Sequence, residues 1–423
     1  MNVLLVNPPI YDFAAHDFWL KPYGLIHVAG ILEKAGIHNL FLFDFMDRTN
    51  PLFPQGKSDR FGRGKFYSVK IKKPDPLKNI PRNYRRYGIP LHIFKDFLNG
   101  IPAPDFVLIS TGMTYWYPGI VEVVRTVRSI YPASKIILGG IYSSIIPHHA
   151  RETIKPDHIY KDIKTLFEFM GINQEPGESP PLWDLYKNLP YGVVKLTDGC
   201  PFKCTYCAVW ILSPVFRIRK VEDVFEEIMY FKNRGVENIA FYDDALLINP
   251  SKGILPLLEM LKNSGLNFHT PNALHARFIT LDVAKAMKSA GFRTIYLGYE
   301  TTDPLRQKAT GGKVTSEQFY RAVENLLTAG FTRDQITVYL LMGLPGQPPE
   351  EVEQGMYEIA ELGLKIMLSE YSPIPGTPDG EKAREILDIE EPLLQNNIVF
   401  PLVYYGKETV NRLKALKNRL NAR

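Results

Sequence analysis

The chain has 423 residues, of which 45% are hydrophobic and 22% are charged, and its formal net charge is +5. This composition is that of an ordinary globular protein with room for two or three domains, and the mild charge does not require a nucleic-acid partner. No apolar run approaches the roughly 20 residues that span a bilayer, and the N-terminus lacks a basic lead and a cleavage site. We therefore expect a cytoplasmic protein with no membrane partner.

Short apolar strands alternate with helices through the first 165 residues or so, a pattern typical of a parallel sheet with helices on both faces. The predicted strands cover residues 3–7, 40–44, 106–110, 135–138 and 157–160. We expect a doubly wound, Rossmann-like N-terminal domain over residues 1–170.

A basic insertion at about residues 48–104 interrupts this series, with lysines, arginines and interleaved tyrosines. One interpretation is an arm that binds an anion, whether a phosphate-bearing substrate, RNA or a negatively charged electron donor. The other is a solvated insertion whose lysines keep it soluble. No base-stacking pattern accompanies the charge, which favours the solvated insertion.

A Pro- and Gly-rich linker is predicted at residues 171–190, followed by a second series of strands and helices. Its six strands are expected at residues 192–197, 238–242, 267–270, 294–299, 335–342 and 365–371. Six such units predict a partial (β/α)6 TIM-type barrel, open on one side, over residues 191–380. Residues 381–423 are expected to form a helical C-terminal cap.

All three cysteines of the chain, Cys200, Cys204 and Cys207, lie within eight positions. Three thiols cannot pair off into disulfides, and they are one ligand short of a four-thiolate zinc or iron–sulfur site. A cubane held by three thiolates would leave one iron open for chemistry. The alternatives are a zinc half-site completed by His275 or another residue, and a non-enzymatic electron-transfer or sensor cluster.

Polar residues recur where the later strands end, at the edge where chemistry collects in βα-barrels. These residues are Asp243, Asp244, Asn272, His275, Arg277, Glu300 and the segment 343–346. Any one of them could be a helix cap or a surface residue. Together with the cysteines, they point to one cavity.

The cysteine motif, with Tyr206 before its last cysteine, resembles the signature of the radical S-adenosylmethionine (radical SAM) superfamily. Residues 241–244, 276–277, 298–300 and 375–378 are similar to the subgroup with an N-terminal cobalamin-binding-type domain. By that resemblance, Cys200, Cys204 and Cys207 are the catalytic residues that hold a [4Fe-4S] cluster. The cluster would bind S-adenosylmethionine at its fourth iron and cleave it reductively to a 5′-deoxyadenosyl radical.

The resemblance also implies roles for the strand-end residues. Asp243 and Asp244 would lie near the methionine amino group, Arg277 at the carboxylate, and Glu300 at the ribose or amino group. Gly343 would let the backbone approach the adenine. The full set of implied cofactor-binding residues is Tyr206, Asp243, Asp244, Asn272, Arg277, Glu300 and Gly343.

Cobalamin is implied by the N-terminal half, where Ser110, Thr111 and Gly139 would be its contacts. The Asp-x-His-x-x-Gly pattern of a lower cobalt ligand is absent, and Tyr160-Lys161-Asp162-Ile163 stands where Gly-Glu-x-Glu is usual. Two interpretations therefore stay open. The domain binds cobalamin without a histidine ligand, or it is vestigial.

We therefore expect a cobalamin-dependent radical SAM methyltransferase that acts on an unactivated centre of a small-molecule or peptide substrate. Its electron donor would be a flavodoxin or ferredoxin type of protein. With a vestigial cobalamin domain, rearrangement, cyclisation, epimerisation or oxidation would replace methyl transfer. The alternative of another class is a non-catalytic iron–sulfur or zinc protein that binds RNA through the basic insertion.

Overall fold

Two parallel sheets organise the chain, which the structure, a computed structural model, describes over residues 1–422. Each sheet belongs to one of two units, unit 1 (Met1–Pro190) and unit 2 (Tyr191–Arg423). The fold class predicted from the sequence is confirmed, with a Rossmann-like sheet, a TIM-type barrel sheet and a helical C-terminal region. Among the described residues, no helix combines the length and apolar character needed to cross a bilayer.

Unit 1 contains a five-stranded parallel sheet whose strand order is β5-β4-β3-β1-β2. These strands are β1 (Asn2–Asn7), β2 (Asn39–Asp44), β3 (Phe106–Thr111), β4 (Lys135–Gly140) and β5 (His158–Ile159). The order reverses between β1 and β3, and ligands of doubly wound sheets bind beyond the carboxyl ends of the strands at such a point.

Alternation along β1 shows why both faces of this sheet are covered. Val3 and Leu5 pack against helices Tyr23–Lys34 and Ile163–Met170, whereas Leu4 and Val6 pack on the opposite face. Successive side chains of a strand point to opposite faces, so an unbroken apolar strand needs helices on both. The other helices of unit 1 are Leu91–Asn99, Tyr117–Ile130, Ile141–Ile145 and Pro147–Thr153.

The basic insertion folds onto unit 1 through small antiparallel pairings. Strand Arg85–Tyr87 lies between Ile10–Asp12 and Ser68–Lys70, and His16–Asp17 pairs with Gly64–Lys65. Two arginines of this region are buried in ion pairs. They are Arg48, 3.1 Å from Asp17, and Arg86, 2.6 Å from Glu122. The exposed cations include Lys57, Arg60, Lys65, Lys70, Lys72 and Lys78.

Residues 171–190, predicted as a linker, pack against unit 1. Lys34 Nζ donates to the Glu178 carbonyl at 2.7 Å, and the Tyr186 hydroxyl donates to Asp44 Oδ2 at 2.7 Å. Trp183 is only 2% exposed. Buried aromatic side chains therefore anchor a segment whose Pro and Gly content alone indicates a free connection.

Unit 2 contains six parallel strands in sequential order, so each strand lies beside the next in the chain. They are β6 (Gly192–Val194), β7 (Asn238–Phe241), β8 (Asn267–His269), β9 (Phe292–Glu300), β10 (Ile336–Met342) and β11 (Lys365–Glu370). Within residues 1–422, β6 and β11 do not pair, which leaves the barrel open as predicted. Strand Leu274–His275 also pairs with β9, and Thr197–Asp198 pairs with Arg217–Ile218.

Helices surround this sheet and extend into the C-terminal region. The helices of unit 2 are Val209–Leu212, Val221–Asn233, Ile254–Met260, Leu281–Ala290, Pro304–Ala309, Ser316–Thr328, Pro349–Glu361, Pro378–Ala383, Val399–Tyr405 and Lys407–Asn421. The last helix buries four residues at helical spacing, Val410, Leu413, Leu416 and Leu420. Its Asn421 Oδ1 also accepts from the Ile366 amide at 2.8 Å, which ties the cap to β11.

Candidate active site

The cysteine loop follows β6 directly, at the carboxyl end of the barrel sheet. Cys204 is buried, and Cys200 and Cys207 are half-buried. Two distant segments hold the loop at Thr205. The Thr205 amide donates to the Thr310 carbonyl at 3.2 Å, and its hydroxyl donates to Asp379 Oδ2 at 2.5 Å. The Asp379 amide returns a bond to the Thr205 carbonyl at 3.0 Å, and we call this reciprocal pair the Thr205–Asp379 clasp.

A buried ion pair lies beside the thiols. Lys313 Nζ is 2.9 Å from Glu300 Oε1, and their side chains are 14% and 12% exposed. Burial alone would lower the pKa of Lys313, but Glu300 and the neighbouring Cys204 and Cys207 hold it above its ordinary value. A Cβ atom on Gly298 would lie 2.6 Å from Lys313 Nζ, so the ion pair packs closely against the backbone of Gly298. Sequence reasoning did not single out Lys313, although it follows two glycines in the loop after helix Pro304–Ala309.

Burial raises the pKa of all three thiols, to about 11 for Cys207. Lys313 acts in the opposite direction at each of them, because a nearby cation favours the thiolate. The Cys207 sulfur also accepts the Val209 amide at 3.5 Å. The site thus supplies positive charge and a donor to groups that must become anionic to bind metal.

Asp243 joins β7 to the start of the cysteine loop. Its Oδ1 accepts from the Leu196 amide at 2.9 Å, the Thr197 amide at 2.5 Å and the Thr197 hydroxyl at 2.8 Å. These bonds turn the chain away from the sheet, which is why β6 ends at Val194 rather than at residue 197. Oδ2 is buried without a hydrogen-bond partner among the described residues.

Asp243→Asn is expected to flatten the pH dependence of folding. Burial raises the pKa of Asp243 to about 6, against partial opposition from the Thr197 bonds and Lys195. Between its ordinary value of 3.8 and about 6 the folded state holds more protons than the unfolded state, so stability falls as pH rises. The loss amounts to about 3 kcal/mol, complete near pH 7.

The measurement is the free energy of unfolding of unit 2 across pH 4 to 7 for the natural protein and Asp243→Asn. Glu237→Gln, at an exposed carboxylate, is the control and should leave the natural slope unchanged. An equal slope in the natural protein and Asp243→Asn would contradict the assignment.

Asn272 and Arg277 hold neighbouring loops together. Asn272 Nδ2 donates to the Tyr242 carbonyl at 2.9 Å, and Arg277 Nη2 donates to the Gly312 carbonyl at 2.8 Å. The Arg277 guanidinium also lies 5.2 Å from the centre of the Phe202 ring, inside the cysteine loop. Both residues are brought to the predicted edge, and their roles at the cofactor stay predictions.

The remaining predicted residues of unit 2 lie around the same loop or beside the cap. Glu300 has a positive φ of 67°, a strained backbone conformation of the kind found at functional sites. Tyr206 packs against a buried cluster that includes Phe400, and Pro401 covers Gly343. Burial raises the pKa of Asp244, which Lys195 opposes. An adenine bound at Gly343 would therefore contact the Gly343 backbone on the face that Pro401 does not cover.

Ser110, Thr111 and Gly139 belong to unit 1, at the carboxyl edge of its sheet. The Ser110 hydroxyl donates to Asn7 Oδ1 at 3.1 Å, and Thr111 Oγ1 lies 3.1 Å from Ser143 Oγ. Gly140 has a φ of 116°, a backbone conformation that favours glycine. A cobalamin at this glycine pair would meet a crowded edge at Gly139, where a Cβ atom would overlap the Tyr160 ring.

The residues of the cysteine loop fit a [4Fe-4S] cluster. Their donor set is three soft thiolates in one loop, which supply three of the four iron positions of a cubane, with Lys313 to balance negative charge. Within residues 1–422, no group of three or more His, Cys, Asp or Glu side chains is arranged to hold a single metal ion.

Comparison with known proteins also points to radical SAM chemistry in unit 2. The Radical SAM superfamily model matches residues 194–356. An uncharacterized methyltransferase, PH0819 of Pyrococcus horikoshii, is 28% identical over 241 residues, which are 56% of this chain and 49% of that protein. The chain thus spans about half the length of this relative. The anaerobic magnesium-protoporphyrin IX monomethyl ester cyclase of Cereibacter sphaeroides is 27% identical over 438 residues, a match that covers 95% of this chain and 67% of that protein.

A solved structure shows the same fold over most of the chain. It is the radical S-adenosylmethionine methyltransferase TsrM of Kitasatospora setae with cobalamin and a [4Fe-4S] cluster bound, at a TM-score of 0.66 and 16% identity. The match covers 91% of this chain and 75% of that one. The family model, the three-thiol loop and the barrel sheet together show that this chain contains a radical SAM domain within unit 2.

Proposed function

We propose that this enzyme cleaves S-adenosylmethionine reductively to form a 5′-deoxyadenosyl radical, at a cluster held by Cys200, Cys204 and Cys207. The observation that carries the proposal is the three-thiol loop, clasped at Thr205 and placed beside the buried Lys313 cation. When bound and reduced, the cluster supplies the electron that breaks a C–S bond of the sulfonium. A low-potential flavodoxin or ferredoxin type of protein would provide that electron.

The protein's own groups would bind and orient S-adenosylmethionine. The unpartnered Oδ2 of Asp243 and the half-buried Asp244 would accept hydrogen bonds from the methionine amino group. Glu300 can accept from ribose hydroxyls while Lys313 holds it in place. Arg277 uses one Nη2 bond on the Gly312 carbonyl and has further N–H donors, so it is the cation we propose for the carboxylate.

The first test is anaerobic reconstitution with iron and sulfide, followed by dithionite and S-adenosylmethionine. We expect 5′-deoxyadenosine, detected by mass spectrometry. No deoxyadenosine, together with tight RNA binding that weakens steeply with salt, would favour the non-catalytic alternative instead.

For the reaction that follows, we propose cobalamin-dependent methyl transfer to an unactivated centre of a small-molecule or peptide substrate. The methyltransferase relatives and the fold shared with TsrM support it. In unit 1, Ser110, Thr111 and the backbone at Gly139 and Gly140 would contact the cobalamin, which supplies the transferred methyl group when bound.

One observation favours a second candidate, a radical SAM reaction without cobalamin. The Tyr160 ring lies against Gly139, and its buried hydroxyl has a pKa raised to about 12. An aromatic side chain here takes space that a cobalamin bound at the glycine pair would need. Rearrangement, cyclisation, epimerisation or oxidation would then be the reaction class.

Tyr160→Ala is expected to tighten cobalamin binding by about tenfold, equivalent to about 1.4 kcal/mol, because it opens the space beside Gly139. The measurement is hydroxocobalamin titration followed by absorbance. Tyr131→Ala is the matched control, since the Tyr131 hydroxyl bonds the Leu98 carbonyl at 2.6 Å, at the amino-terminal end of the sheet. Tight binding that Tyr160→Ala leaves unchanged would contradict the placement, and no binding by either protein would favour the second candidate.

A further inference from the structure

His275 lies against the first cysteine of the cluster loop. It ends the short strand Leu274–His275, which pairs with β9 so that His275 is opposite Gly298. The side chain is buried, with 3% of the residue exposed, and its Nε2 is 3.8 Å from Cys200 Sγ. A strand rather than a mobile loop therefore carries the imidazole to the sulfur.

Aromatic packing fixes the orientation of this imidazole. The His275 ring stacks on Phe202 at 5.1 Å between centroids and 25° between planes. Arg277 contacts the same Phe202 ring, and its own position is held by the Gly312 carbonyl. Phe202 lies two residues after Cys200, so these contacts fix the imidazole relative to the cysteine as well.

A ligand thiolate has lone pairs and no proton, so it can only accept a hydrogen bond, and an imidazole N–H can donate one. The contact of 3.8 Å lies within the range of bonds to sulfur. We propose that His275 is a positioning residue that donates its Nε2–H to Cys200 Sγ and thereby raises the reduction potential of the cluster. This inference rests on the proposed cluster at Cys200, Cys204 and Cys207.

The direction of the effect follows from charge. Reduction adds negative charge to the cluster and its thiolate ligands, and a donor aimed at a ligand sulfur stabilises that charge. Hydrogen bonds to cluster sulfurs are among the main determinants of iron–sulfur potentials. Without the His275 bond, the cluster should be harder to reduce.

The test compares His275→Phe and His275→Gln in the reconstituted full-length chain. Phenylalanine keeps an aromatic ring against Phe202 but has no donor, whereas glutamine keeps an N–H. We expect a midpoint potential shifted to more negative values in His275→Phe, by redox titration followed by EPR, and recovery of part of that shift in His275→Gln. His269→Phe replaces another fully buried histidine, bonded to Asn238 and Thr294, and should leave the potential unchanged.

An unchanged potential in His275→Phe with a full iron content would overturn the proposal. If that variant fails to assemble a cluster, the test is the coupling between 15N and the reduced cluster in the natural protein labelled with [15N]histidine. A weak 15N coupling to the reduced cluster, with an exchangeable proton, is expected. No coupling, or the strong coupling of direct iron ligation, would overturn the hydrogen bond.

Failure of this inference is distinguishable from failure of the proposed function. Deoxyadenosine formation by the natural protein tests the function alone. If deoxyadenosine forms and the potential is unchanged in His275→Phe, only the role of His275 is wrong.

Discussion

Cys204→Ala is expected to abolish 5′-deoxyadenosine formation and to reduce bound iron well below the four atoms of an intact cluster. Cys204 is the most buried of the three thiols, and the clasped Thr205 follows it directly. With one thiolate removed, two ligands remain for a cubane that needs three from the protein. The measurements are iron and sulfide content, the EPR spectrum with and without S-adenosylmethionine, and deoxyadenosine by mass spectrometry.

Val215→Ala is the matched control for this variant. Val215 is 56% exposed in the segment that follows the cysteines, so its truncation changes the same region without removing a ligand. It should assemble the cluster and form deoxyadenosine at the natural rate. Deoxyadenosine formation by Cys204→Ala at the natural rate would show that the cluster assignment is wrong.

Lys313→Met is expected to have the largest effect on stability. It leaves the Glu300 carboxylate buried without its counter-charge, and breaking a buried ion pair in this way costs about 3–5 kcal/mol. It also removes the cation that favours the thiolate forms of the three cysteines, so cluster assembly should slow. The measurement is the free energy of unfolding of unit 2, followed by native-state hydrogen exchange of its strands.

Two further variants separate the charge effect from a packing effect. Lys313→Met combined with Glu300→Gln removes both charges and should recover most of the lost stability. Lys262→Met breaks an exposed pair, 3.5 Å from Glu259, and should cost less than about 1 kcal/mol. A loss in Lys313→Met no larger than in Lys262→Met would contradict the role given to burial.

The strands and the cysteine loop could be predicted because their signals are local. Mainly apolar segments of four to eight residues, followed by polar or glycine residues, predicted all eleven strands of the two main sheets, most of them to within two residues. Three cysteines in eight positions need no knowledge of the fold to be recognised as one site.

Lys313 and Asp379 could not be predicted because their importance depends on distant contacts. Lys313 is one lysine among many until the fold buries it beside Glu300. Asp379 reads as a helix-start residue after Pro378, and only the tertiary structure brings it to Thr205. The segment 171–190 was predicted as a linker for the same reason, since its composition does not show where Trp183 and Tyr186 pack.

The Thr205–Asp379 clasp also fixes the order in which the parts of the cysteine loop's support are synthesised. Its two residues are 174 positions apart, so a nascent chain leaving the ribosome has exposed all three cysteines long before Asp379 is synthesised. Until then the loop lacks one of its two supports at Thr205. A chain that stops short of Asp379 would therefore keep all three cysteines but not the contact that holds their loop from the C-terminal side.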